Sequence, residues 1–326
     1  FINKMDKMGA DFEMSVQSIR DKLVANPIVM QLPIGAGDDF VGLVDLVEMR
    51  AFYYNNREKL NKAFEERDVP EEMLELAETK RHEMLGLAAE FDEEMIASAA
   101  EHDEEMMELY IEDKPISKEL IHRAIRRGTV DDKLNPVFVG AALKNIGTRK
   151  LLDGVVEYLP SPLDKPDIMA HKPDDPEKKV VVKCDDSKSL VALVFKITHD
   201  THGDLSFIRI YQGTLKSGSR VLDASRNRRE NITRLFEMHA NERKILDSAT
   251  AGDIVAVIGL KQALTGDTIC DSKNPVCLSK ISFPETVISM AIEPKSSADK
   301  AKLGEALAAL RREDPTFGCK NDPETG

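Results

Sequence analysis

Asn3-Lys4-Met5-Asp6 sets an amide, an ammonium and a carboxylate within four residues. That set suits one heterocycle. A guanine edge offers N1–H and N2–H₂ as donors beside O6 and N7 as acceptors. An ionised carboxylate is acceptor-only and takes both donors, while the Asn3 amide can serve N7. Adenine presents the opposite pattern on its ring edge and would leave Asp6 unpaired, so base selectivity would arise there. The Lys4 stem can lie over the base plane. The alternative for these four residues is a solvated loop following a strand.

Other chemistry is thinly represented. Gly213-Thr214-Leu215-Lys216-Ser217-Gly218-Ser219-Arg220 imitates a phosphate loop but lacks Lys and then Ser/Thr in its last two places. A strand is expected after it, so no helix N-terminus would face an anion, and the segment reads as a hairpin turn. No Ser/His/Asp or Cys/His set suggests a nucleophile, so no catalytic residue is assigned. Cys184, Cys270, Cys277 and Cys319 lack C-x-x-C spacing and read as reduced cytosolic thiols. His199 and His202 read as residues flanking a turn. Arg226-Asn227-Arg228-Arg229 with Arg234 is either a charged loop or a set of contacts for RNA phosphates, a geometry that Arg suits.

The elements that would hold these residues follow from pattern. Phe1-Ile2 reads as the end of a buried strand. Phe12, Val16, Ile19 and Leu23 recur at helical spacing, and Pro27 ends that helix. Apolar runs at Pro27–Pro33 and Phe40–Tyr54 read as strands, joined through Gly35-Ala36-Gly37. Residues 57–127 are rich in helix formers throughout. Asn135–Val139 reads as a short buried strand running into Gly140-Ala141-Ala142-Leu143. Leu151, Leu152, Val155, Val156 and Leu159 then form an apolar helix face. Alternation of strand and helix at both ends of this region indicates an α/β domain with a mixed insertion. Residues 164–189 read as a proline-rich linker. From Leu190 to Ile281, short runs broken by turns recur at the spacing of a β-barrel or sandwich. A strand at Val287–Ile292 and a helix at Ser297–Arg311, with Ser296 spaced to cap it, follow.

Composition bounds the rest. The chain has 326 residues, 42% hydrophobic and 32% charged, with no apolar run long enough to span a bilayer. Its net charge of −13 is unevenly spread. Between Arg57 and Asp113 stand 20 Asp and Glu against 6 Lys and Arg, a local balance of −14. One segment therefore carries the acidity, as a partner surface or a solvated face.

Taken in order, several phrases resemble bacterial elongation factor G, a translational GTPase. They include Phe1–Asp6 with Gly9-Ala10-Asp11-Phe12, Gln31–Gly35, Gly42–Leu46, Tyr158–Pro162, Tyr211–Leu215, Ala251–Ile254, Thr265–Thr268 and Glu313–Phe317. The long gap between Asp6 and Gly140 favours that family over the smaller elongation factor Tu. A peptide-release, recycling or ribosome-protection relative, or a non-enzymatic ribosome- and RNA-binding module, stays open beside it.

The resemblance implies a multi-domain α/β plus β fold. Residues 1–163 would be the C-terminal part of a P-loop GTPase domain, with an inserted subdomain over about 28–130. Residues 190–284 would be a β-barrel second domain and 285–326 the start of an α+β ferredoxin-like third domain. It implies that Asn3, Lys4, Met5 and Asp6 with Gly140, Ala141, Ala142 and Leu143 bind GTP or GDP. The family usually has Ser at Ala141, so any hydroxyl bracing of that loop is lost here. Phosphate loop, switches and catalytic His would lie before Phe1, which makes the chain read as an inactive internal piece with Mg²⁺ bound only by regions outside it. Implied partners are the ribosome, its RNA, a basic stalk surface facing the acidic insertion, and indirectly the mRNA–tRNA complex. No membrane is implied, and the expected state is a monomer.

Overall fold

The computed structural model describes residues 1–54, 64–96, 109–112, 114–200, 203–240, 242–283, 287–294 and 296–320. His202 and much of the acidic stretch lie outside them. The chain divides into two compact units, 1–164 and 165–326.

In the first unit, α1 (Phe12–Leu23) starts where the Asp11 carboxylate accepts the Met14 N–H, and it ends at Val24 in a left-handed conformation. β1 (Pro27–Val29) pairs in parallel with β6 (Asn135–Val137). Ile2 bridges in parallel to Val139, so the chain's second residue adjoins a strand far along the sequence. Between these segments lies the insertion. Its antiparallel sheet runs in the order β2 (Gln31–Ile34), β3 (Gly42–Asp45), β4 (Arg50–Tyr53) and β5 (Glu65–Asp68). Two helices follow, α2 (Glu71–Ile96) and α3 (Lys118–Val130), the latter capped by Ser117 and burying Leu120, Ile121 and Ile125. One apolar core unites Ile2, Met5, Ile28, Leu43, Phe52, Ile121 and Val139.

Two expectations for this unit fail. The helix-rich reading of 57–127 missed β5, whose four residues are all charged. It is an edge strand, and Arg50 on β4 reaches across to Glu66 and Asp68. Charge on an edge strand is compatible with pairing on one side and water on the other. Helix α4 (Thr148–Tyr158) forms, but most of its expected apolar face is turned outward: Leu152 and Val156 are 60% and 80% exposed, while Leu151 packs against the core. The buried positions are Gly154 and Tyr158. A Cβ on Gly154 would stand 2.3 Å from the Phe138 ring, so this close approach selects which side of the helix packs.

In the second unit, the residues read as a linker fold instead into a hairpin, β7 (Ile168–Lys172) and β8 (Asp175–Val182). Ala170 and Val182 pack with Val191, Val276 and Leu278, and His171 and Cys277 exchange backbone hydrogen bonds. Ten further strands are β9 (Val191–Asp200), β10 (Gly203–Gln212), β11 (Thr214–Lys216), β12 (Arg220–Asp223), β13 (Arg228–Asn231), β14 (Arg234–His239), β15 (Glu242–Leu246), β16 (Ser248–Thr250), β17 (Ile254–Ile258) and β18 (Thr268–Cys270). Eight of these form one antiparallel sheet in the order β13-β12-β18-β9-β10-β17-β14-β15, and β11 pairs with β16. Strand β12 follows the Gly213–Arg220 segment, as a turn requires. The expected strand at Val287–Ile292 does not form. Its apolar side chains are exposed, and no described strand pairs with it; an unpaired strand leaves its backbone groups to water. Helix α5 (Ser297–Glu313) begins at Ser296, which accepts the Asp299 N–H.

A carboxylate in this unit makes its stability depend on pH. Asp223 is fully buried; one oxygen accepts the Arg226 N–H, and Oδ2 has no hydrogen-bond partner among the described residues. Burial, reinforced by the charge of Asp267, pushes its carboxyl up to about 6. The folded state therefore holds this proton more tightly than the unfolded chain, and stability falls as pH rises from about 4 to about 6. Asp223→Asn is expected to remove that component. Thermal melts should show the variant gaining on the parent across this window and then running parallel to it above pH 7; a constant difference throughout would refute the assignment.

Candidate functional site

Backbone pairing brings the two loops together. The Ile2 N–H donates to Phe138 O at 2.8 Å, Gly140 N–H to Ile2 O at 3.0 Å, and Met5 N–H to Gly140 O at 3.2 Å. Lys4 sits at φ +66°, a left-handed conformation that turns the chain sharply between Asn3 and Met5. Met5 is 2% exposed and belongs to the core, and its carbonyl accepts the Gly37 N–H from the insertion's first turn. It anchors the loop and presents no side chain to a ligand.

The second loop is a single tight turn. Ala141 is buried and exchanges backbone hydrogen bonds with Ile146, while Lys144 and Asn145 donate back to Ala141 and Ala142. Gly140 and Gly147 are demanded by contact: a Cβ at either would stand 2.3 Å from a backbone carbonyl oxygen. The amides of this loop are mostly committed. Gly140 N–H goes to Ile2, Ala141 N–H to Ile146, and Ala142 N–H to the Asn3 side-chain carbonyl at 2.9 Å. Among the described residues the Leu143 N–H makes no hydrogen bond, and the Leu143 side chain is 92% exposed.

Asn3 therefore staples the loops. Its Oδ1 accepts from both Lys4 N–H, at 2.8 Å, and Ala142 N–H, which leaves Nδ2 as its remaining hydrogen-bonding group. The Asp6 side chain is only 4% exposed. Its Oδ2 lies 3.0 Å from Lys144 Nζ and 3.6 Å from Lys7 Nζ. The Lys144 ammonium, with Lys7 behind it, holds the carboxyl below the usual carboxylate range despite burial. Chemically the site is an ionised acceptor, an amide donor and one backbone N–H within two stapled loops, a set that fits a guanine edge. Lys144 was not among the residues singled out from sequence. It stands one position beyond the four-residue loop, and the signal was the presence of a cation next to a motif built on a carboxylate.

A polar knot ties the insertion to α4 behind the loops. Asp45 Oδ1 accepts the Val47 and Glu48 N–H groups at 3.1 Å, and Lys150 Nζ lies 3.5 Å from Asp45 Oδ2 and pairs with Glu48. Lys150 also sits 4.1 Å from the centre of the Phe52 ring. In the second unit the basic segment is partly spent. Arg226 Nε pairs with Asp267 at 2.8 Å and Arg228 donates to Gln262, whereas Arg229 and Arg234 are exposed. Arg228 and Arg229 lie on strand β13, a correction to their reading as a loop.

Comparison with known proteins bears on the fold. The family model for the elongation factor Tu GTP binding domain matches residues 1–161, that for elongation factor Tu domain 2 matches 203–270, and that for elongation factor G domain III matches 283–326. A crystal structure of a protein from Thermus thermophilus superposes with a TM-score of 0.74 at 25% identity, covering 99% of this chain and 44% of that one. The chain thus spans less than half the length of that relative. Residues matching a GTP-binding α/β domain, a barrel-like β domain and elongation factor G domain III follow one another in the order and fold of a translational GTPase.

Proposed function

We propose that this chain is part of an elongation factor G-type GTPase, which moves tRNA and mRNA on the ribosome. The observation that carries the reading is the elongation factor G domain III match at residues 283–326, following the GTP-binding and second domains. The insertion between the two base-reading loops supports it. In this reading Asp6 accepts from N1–H and N2–H₂, Asn3 Nδ2 donates to N7, and the Leu143 N–H donates to O6. The Lys4 stem and the exposed Leu143 side chain cover the base faces. Gly140 and Ala141 shape the loop, and the Ala142 N–H is already spent on Asn3. Within these 326 residues no G-x-x-x-x-G-K-[ST] loop occurs. Phosphoryl transfer depends on positioning and charge around the phosphates, and base contacts alone are worth less than association costs, so residues 1–326 alone are expected neither to hydrolyse GTP nor to bind it appreciably, and the guanine contacts act in the intact factor. Arg229 and Arg234 are proposed to face ribosomal RNA, the acidic insertion a basic protein surface of the ribosome, and the factor is proposed to act as a monomer.

Asp6→Asn in the intact factor tests the base reading. Losing a charge-assisted double hydrogen bond is expected to weaken GDP on the order of 100-fold. Xanthosine diphosphate should gain relative to GDP, because its extra carbonyl accepts from the new amide. Calorimetric titration of both nucleotides measures the ratio, and an unchanged ratio would reduce Asn3–Asp6 to an ordinary loop.

The acidic insertion generates a second test. Glu71, Glu72, Glu75 and Glu78 are exposed at the start of α2. Exposed pairs contribute under about 1 kcal/mol each and are screened beyond about 8 Å at physiological salt, so single changes should do little. Changing all four to Lys is expected to slow ribosome association several-fold at low salt and much less at high salt, because complementary fields act mainly on encounter rates. Stopped-flow measurements decide it: equal rates at low salt would leave the insertion with only a solvated face.

A further inference from the structure

We propose that Lys144 is a positioning residue for guanine recognition, whose ammonium fixes the Asp6 carboxylate from the opposite loop so that its acceptor oxygens are set before a base arrives. The inference rests on the guanine reading above and adds to it a residue outside both motifs.

Three observations carry it. The first is geometry. Lys144 Nζ is 3.0 Å from Asp6 Oδ2, an oxygen that is buried and makes no other hydrogen bond among the described residues. Lys7 is farther away at 3.6 Å, and its side chain is 61% exposed, against 36% for Lys144. Lys144 is thus the nearer and better shielded cation. A buried carboxylate deprived of its partner is left uncompensated, which is far more costly than losing a surface pair.

The second observation is where Lys144 is rooted. It ends the one-turn helix that opens at Ala142, its N–H donates to Ala141 O at 3.0 Å, and Asn145 follows in a left-handed conformation. Its backbone is held as firmly as the loop itself. With Asn3 bound to the Ala142 N–H, side chains join the two loops twice, once by amide and once by charge, beside the backbone hydrogen bond from Met5 to Gly140.

The third observation is what the loop lacks. Ala141 is buried and carries no hydroxyl, so no side-chain donor at that position can steady Asp6. The Lys144 ammonium supplies the fixed positive group instead. Both lysines face Oδ2, so Lys144 braces Asp6 from that side and leaves Oδ1 as the oxygen not committed to it. The lowered carboxyl of Asp6 agrees with this, and its charged neighbours are Lys144 and Lys7.

The test compares Lys144→Met, which keeps the stem and removes the charge, with Lys144→Arg, which keeps the charge. The first readout needs no nucleotide: the Asp6 carboxyl is followed by carbon NMR through a pH titration. Its midpoint should lie below the usual carboxylate range in the parent, rise toward that range in Lys144→Met, and stay low in Lys144→Arg. The second readout, in the intact factor, is the ratio of dissociation constants for guanosine and inosine diphosphates, which differ by the N2 amine. That ratio should fall several-fold in Lys144→Met and recover in Lys144→Arg. An Asp6 midpoint that does not move in Lys144→Met overturns the proposal. So does a tighter GDP complex, which would make Lys144 a competitor, or an unchanged ratio in a protein that binds GDP. A parent protein with no preference for guanosine over adenosine diphosphate would instead refute the guanine reading, and the carboxyl titration would still decide what Lys144 does to Asp6.

Discussion

The site depends on one short parallel contact. Ile2 lies against Phe138–Gly140, and β1 pairs with Asn135–Val137 just before it, so one short run of residues is gripped by two segments from the start of the chain. Every other relation at the site follows from this grip. It sets Asn3 opposite Ala142, Asp6 opposite Lys144, and the Met5 carbonyl beneath Gly37 of the insertion. More than 130 residues separate the two loops, yet the entropy of closing so long a segment grows only logarithmically, by about 0.6 kcal/mol per doubling. The insertion further limits that cost by folding on its own sheet and sharing one apolar core with the loops. A large insertion between two halves of a binding site is tolerable when it is itself ordered where it leaves and rejoins the sheet.

Three shielded carboxylates illustrate how burial and neighbouring charge compete to set a carboxyl's affinity for its proton. Asp223 and Asp45 are both pushed up by burial; a like charge reinforces the push on Asp223, and Lys150 opposes but does not cancel it at Asp45. Asp6 is pulled down, because lysines face it from two sides. Only Asp6 has a proposed role that requires an acceptor with no proton. A neutral carboxyl would present a donor to N1–H or N2–H₂ and lose the discrimination that a guanine site needs. Lysines beside this carboxylate suit the proposed role, whereas the raised carboxyl of Asp223 reflects the expense of burying charge.

What could be read in the sequence was whatever rests on chemical type and short spacing. Asn3, Lys4 and Asp6 stand out by residue type and spacing, although a solvated loop can carry the same residues. Helix α1 and the main strands of the second unit follow from periodicity and turn residues. Long-range geometry was not legible. Strands β5 and β13 are built from charged residues and exist because a neighbour offers hydrogen bonds, a condition that no local pattern encodes. The hairpin at 168–182 looked like a linker because much of it is exposed and charged, and few of its residues, Ala170 and Val182 with Ile168 and Val180 beside them, reach the core. The apolar face of α4 misled for the opposite reason. Gly154 allows an approach to Phe138 so close that the helix packs on its smallest residue and leaves Leu152 and Val156 outside. Met5, within the motif, turned out to belong to the core.

Charge follows the same division between what sums can and cannot reveal. The net charge of −13 describes neither unit well, since the stretch from Arg57 to Asp113 carries −14 and the remainder nearly balances. The first unit therefore presents an acidic surface at α2, while the second keeps Arg229 and Arg234 exposed after Arg226 and Arg228 have been spent on Asp267 and Gln262. A polyanion as partner would be repelled by a uniformly acidic protein over several Debye lengths at low salt. Segregating the acid into an insertion leaves the exposed arginines of the second unit outside the acidic stretch, so a summed charge hides two surfaces of opposite character.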